Sequence, residues 1–87
     1  MNDKSNNCRV CGLDQGFSPW GENDNVPSYF ICPCCGAEFG LHDETYDQIK
    51  EYREQWLTNG AKWFDEKHRP EGWDQDSQLK GIPDLYI

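Results

Sequence analysis

Four of the five cysteines in this 87-residue chain are spaced for metal chemistry. Cys8 and Cys11 form one pair and Cys32 and Cys35 another; two residues separate the members of each pair, and twenty separate the pairs. This is the C-x2-C, C-x2-C arrangement of a four-thiolate metal site. Two intervening residues let a tight turn aim both sulfurs at one ion while amides of the turn hydrogen-bond to the thiolates. A glycine follows each pair, Gly12 and Gly36, and glycine tolerates the positive φ that such a sharply turning knuckle demands. Two facing knuckles give tetrahedral sulfur coordination, so Cys8, Cys11, Cys32 and Cys35 are the expected metal ligands. The expected ion is Zn2+, with iron as the alternative, because thiolates suit either. Four protein ligands close the shell and leave no position for a reactive water, so the ion is expected to be structural, or electron-transferring if it is iron.

Other reactive side chains lack such order. Cys34 lies inside the second knuckle, in the run Ile31-Cys32-Pro33-Cys34-Cys35-Gly36. It reads either as a reactive or exchanging thiol or as a small turn residue pointing away from the ion. The second reading keeps Cys32 and Cys35 symmetric with Cys8 and Cys11. His42 and His68 each stand among charged neighbours and read as surface histidines. Carboxylate pairs such as Asp43-Glu44, Asp65-Glu66 and Asp74 with Asp76 have no accompanying nucleophile. G-x-S-x-G, phosphate-loop and H-E-x-x-H motifs are absent. A redox C-x-x-C of thioredoxin type does not fit either, since no βαβ pattern surrounds the pairs. The chain does not read as an enzyme.

The elements that must position these cysteines have little apolar material to draw on. Ile, Leu, Val and Phe total fifteen residues beside a formal charge of −8, a balance typical of disordered chains. Four Trp and four Tyr offset this, because each aromatic buries roughly 150–250 Å². A chain so short and polar still needs a staple, and the metal is the expected one. Eighty-seven residues make a single domain. Acidic charge is spread along the sequence, −3 through residue 42 and −5 beyond, which disfavours nucleic acid and points to a basic protein partner or simply to solubility. No apolar run is long enough for a membrane span, and residues 1–7 lack a secretory apolar stretch. A reducing cytoplasmic setting is therefore expected, where disulfides are rare.

Along the chain, residues 12–28 carry turn chemistry, with Phe17 and Trp20 placed to close over one side of the site. Residues 28–31 and 37–41 read as strands of a β-hairpin around the second knuckle. The expected fold is therefore a small α+β metal-stabilised domain: a zinc-ribbon-like hairpin over 8–41, a main helix over 43–60, then a loop, a short helix and a docked tail over 61–87. Asp43 or Thr45 caps the main helix and Gly60 stops it. Tyr46, Ile49, Tyr52 or Arg53, Trp56 and Leu57 recur at helical spacing, a core stripe expected to lie against Phe30, Phe39 and Trp20. Asp74 and Gly81 bracket the short helix.

The two C-x-x-C-G knuckles resemble zinc ribbons over residues 8–36. The second, with Cys-Pro-x-Cys-Gly and nearby Phe39, is similar to rubredoxin, although the inter-knuckle loop is shorter and a helical half follows where rubredoxins end. As a whole the chain resembles small bacterial cysteine-rich proteins that carry a C-P-C-C motif, here Cys32-Pro33-Cys34-Cys35. That resemblance implies a metal-binding, non-catalytic protein, with an immunity-like role among the expectations; the rubredoxin likeness implies an iron electron carrier as the alternative. An aromatic group of Trp63, Phe64 and Trp73 is either the anchor for a partner protein or ordinary core.

Overall fold

The computed structural model describes residues 4–23 and 25–87. Its longest element is helix α1, Tyr46–Thr58. Thr45 starts it. The Gln48 amide donates to the Thr45 hydroxyl at 3.1 Å, and the Thr45 amide donates to Gln48 Oε1 at 3.1 Å. This reciprocal capping box satisfies amides that a helix start leaves unpaired. Ile49, Arg53 and Trp56 are buried at i, i+4 and i+7, the spacing of one helix face. Tyr52 and Leu57 flank that face half-buried, and Tyr46 is exposed.

Among the described residues there is no β-strand, sheet or hairpin, and this overturns the α+β ribbon expected over 8–41. Isolated antiparallel bridges join Asn7 with Asp14 and Ile31 with Glu38. The reason is local. Tyr29 adopts φ 61 and Gly40 φ 101, so the chain on either side of the second knuckle leaves the extended region before a ladder can lengthen. Each knuckle is closed by a few amide bonds and then turns away.

Beyond α1 the chain forms a 3-10 turn at Glu66–His68, a short helix α2 at Gln75–Leu79 and a second 3-10 turn at Asp84–Tyr86. Helix α2 lies against the first knuckle at very short range. A Cβ on Gly12, whose φ is 86, would stand 2.3 Å from the Gln78 carbonyl oxygen, and one on Gly81 would stand 2.6 Å from the Gly12 oxygen. Both positions need glycine for the two backbones to meet. Asn7 Nδ2 reinforces the contact by donating to the Gly81 oxygen at 2.8 Å.

The core is built around sulfur. All five cysteines cluster with Val10, Ala37, Phe39, Ile49, Trp56, Ala61 and Trp63. Trp63 meets Trp73 edge-to-face at 5.5 Å. Phe30, expected to pack under α1, instead stands 63% exposed with its edge against Phe17 at 5.5 Å. Ile82 is buried, and Leu85 and Ile87 face solvent.

Candidate metal centre

Each pair of cysteines sits in a loop whose hydrogen bonding is dictated by its own few residues. In the first, Gly12 N donates to Cys8 O at 2.9 Å and Cys8 N to Leu13 O at 2.9 Å. In the second, Gly36 N donates to Cys32 O and Cys32 N to Ala37 O, both at 2.9 Å. Outside these, Gln15 N donates to Asn6 O, and Phe39 N to Phe30 O. Adding 24 to each number of the first knuckle reproduces the second, bridge pairs included. The two knuckles are thus structural repeats of one another, with the turn glycines at φ 86 and φ 80.

Facing each other, the knuckles bring the four expected sulfurs together. Cys8 Sγ lies 3.7 Å from Cys35 Sγ, and Cys11 Sγ lies 3.6 Å from Cys32 Sγ. All four fall within 4.8 Å of one another. A disulfide needs about 2.05 Å, so these are thiols. A tetrahedral ion with sulfur at about 2.3 Å holds its ligands roughly 3.8 Å apart, which the two short separations match. The donor set therefore fits a four-coordinate, thiolate-binding ion. Cys8, Cys11 and Cys32 are fully buried and Cys35 nearly so.

The electrostatics point the same way. Burial pushes the Cys11 and Cys35 thiols well up, since a lone thiolate is poorly solvated there. Cys32 is driven strongly down by the hydrogen bonds it receives, first from Cys11, then from Cys35 and Cys8. A bound cation favours the thiolate form of its sulfur ligands. Gln15 Nε2 also approaches Cys32 Sγ at 3.4 Å.

No family model matches the chain, and no solved structure matches it. Among curated proteins it is similar to the uncharacterized protein YoaQ of Bacillus subtilis (strain 168), with 33% identity over an alignment that covers 69% of this chain. The chain spans about 64% of that relative's length.

The remaining candidates separate from the centre. Cys34 is fully buried, and its sulfur accepts from Gln78 Nε2 at 3.2 Å. It lies outside the group of four mutually close sulfurs, although a hydrogen bond from Cys11 is the main influence lowering its pKa. His42 Nδ1 accepts the Glu38 amide at 2.9 Å, and its ring lies 4.9 Å from that of Tyr52. His68 pairs with Asp65 at 2.9 Å. Among the described residues no second group of His, Cys, Asp or Glu is arranged to hold an ion. Asp43 caps no helix. Fully buried, it accepts from Trp20 Nε1 at 2.9 Å and from the Gly40 amide at 2.7 Å.

Sequence reasoning offers Arg53 only as the alternative to Tyr52 on the core stripe and gives it no bonding role. From the buried face of α1 its Nε donates to Val10 O at 2.6 Å, and its Nη2 donates to Arg9 O at 2.8 Å and Tyr86 O at 2.6 Å. Gln78 Nε2 reaches Cys11 O at 3.3 Å. Carbonyls of the second knuckle are held in the corresponding order: Pro33 O by the Asp65 amide at 2.9 Å, Cys34 O by the Phe64 amide at 2.8 Å, and Cys35 O by Tyr52 Oη at 3.3 Å. Every carbonyl from the second to the fourth residue of each knuckle is thus held by a donor from the helical half. A lone cation on the apolar stripe of a helix is the sequence signal that marks Arg53.

Proposed function

We propose that this chain is a zinc-stapled, non-catalytic protein-interaction module of the cytoplasm. Cys8, Cys11, Cys32 and Cys35 hold the ion, and an acidic surface meets a basic partner protein. The observation that carries the reading is the convergence of four buried sulfurs within 4.8 Å of one another, 3.6 and 3.7 Å apart in the two pairs that cross the knuckles, in a chain whose core is built on those same residues. Four thiolates saturate the ion and leave it nothing to offer a substrate. Its contribution is folding energy, on the order of 10 kcal/mol for structural zinc sites, in a chain too poor in apolar residues to be stable otherwise. The Cys32-Pro33-Cys34-Cys35 motif supports a place among the small bacterial C-P-C-C proteins. The charge of −8 favours a cationic partner by steering its approach, as an immunity-like or regulatory role requires. No helix of the described residues is long and apolar enough to cross a membrane.

The test is metal analysis of protein purified without added metal, followed by chelation. One zinc per chain in a colourless protein, and loss of cooperative unfolding on chelation, are the expected results. Serine at Cys8 or Cys35 should remove metal and cooperative unfolding together. A red protein containing iron that bleaches on reduction would replace the zinc reading with that of an electron carrier. A metal-free chain that unfolds cooperatively would overturn both.

A further inference from the structure

Several exposed apolar side chains gather beside the second knuckle. Phe30 and Phe64 are 63% and 64% exposed, and Ile31 and Phe17 are 46% and 39% exposed. With Pro33, Asp65 and His68 they line a groove of about 360 Å³. That volume lies within the range of sites that accept a side chain or small ligand, and aromatic residues concentrate binding energy at interfaces. The groove is also tied to the metal ligands. Ile31 and Pro33 flank Cys32, Phe64 is held through its amide to Cys34 O, and Gln15, two residues before Phe17, donates to Cys32 Sγ and lines the groove itself.

From this placement we infer that the groove is the docking face of the module. Its occupant is a segment of a basic protein, seating an apolar side chain between Phe30 and Phe64 with Lys or Arg on either side. This rests on the interaction-module reading above. Charge decides the occupant: two copies of this chain carry −8 each and repel, whereas a cationic segment is drawn in and needs an apolar residue to hold the groove. Because Ile31 and Pro33 are set by Cys32, the face exists only while the knuckles are closed on their ion.

The experiment selects a random peptide library displayed on phage against the metal-loaded full chain. Selected sequences should combine Phe, Trp or Leu with flanking Lys or Arg. A synthetic copy of the consensus should bind about tenfold more weakly to Phe30→Ser or Phe64→Ser, should be unaffected by Leu85→Ser on an exposed site outside the groove, and should be released by chelation. Both groove variants should retain full metal content and the unfolding midpoint, which separates a lost contact from a lost fold. An acidic or uncharged consensus, no enrichment over an unrelated acidic protein, or affinity indifferent to both groove variants would overturn the inference, leaving the metal reading in place if metal is still bound. A chain that takes up no metal sinks both.

Discussion

Cys34 occupies in the second knuckle the position that Val10 occupies in the first. The two are 24 residues apart, both are fully buried, and each carbonyl accepts a hydrogen bond, Val10 O from Arg53 and Cys34 O from Phe64. The fifth thiol is thus a small core residue at a position where its twin is aliphatic. It stands outside the ligand group, as the symmetry of Cys32 and Cys35 with Cys8 and Cys11 suggests, and inside the core.

Cys34→Val should therefore bind a full equivalent of metal and lose about 1–3 kcal/mol of stability, the range for adding roughly one methylene to a packed core. Gln78 Nε2, which donates to the Cys34 sulfur, keeps the Cys11 carbonyl as an acceptor. Elemental analysis and denaturant unfolding check this. Loss of metal in the variant would make Cys34 a ligand.

Arg53→Met should be among the most damaging substitutions outside the cysteines. It leaves the Val10, Arg9 and Tyr86 carbonyls without their donor, and an unsatisfied buried acceptor costs roughly 1–3 kcal/mol. A loss of more than about 3 kcal/mol is expected by urea unfolding of the metal-bound protein. Arg53→Lys should rescue little, since one ammonium cannot reproduce the planar fork of the guanidinium.

Gly12→Ala and Gly16→Ala separate crowding from backbone conformation. Both glycines have positive φ, 86 and 79, but only at Gly12 does a Cβ meet backbone, 2.3 Å from Gln78 O; at Gly16 nothing lies within 4 Å. Gly16→Ala should lose only the roughly 1–2 kcal/mol of a left-handed residue. Gly12→Ala should lose clearly more and loosen α2, seen as faster amide exchange in Gln75–Leu79.

Tyr52 makes stability fall at alkaline pH. Burial, reinforced by negative charge at Cys35 and Cys32, raises its pKa, so the folded chain favours the neutral phenol that donates to Cys35 O. The contribution is fully present below the ordinary tyrosine value of about 10 and is lost as pH rises through the higher folded value. The alkaline decline in unfolding free energy should shrink in Tyr52→Phe, and an unchanged decline would assign it to other groups.

The four sulfurs were legible before any fold was known, because a C-x2-C turn is closed by its own residues: glycine supplies the positive φ and the amide that bonds back to the first cysteine. The helix start at Thr45 was equally local. The expected hairpin fails for the opposite reason. Nothing in Ser-Tyr-Phe-Ile announces that Tyr29, neither glycine nor asparagine, will take φ 61, and a single such residue ends a ladder. Exposure was beyond sequence too. Phe30 and Phe39 look alike as neighbours of the second knuckle, yet one is 63% exposed and the other fully buried, because only tertiary packing decides which side of the knuckle α1 covers. The same packing decides between Tyr52 and Arg53 on the core stripe: Arg53 is the one turned fully inward, because the carbonyls of the first knuckle arrive to be bonded, while Tyr52 stays half-buried beside it.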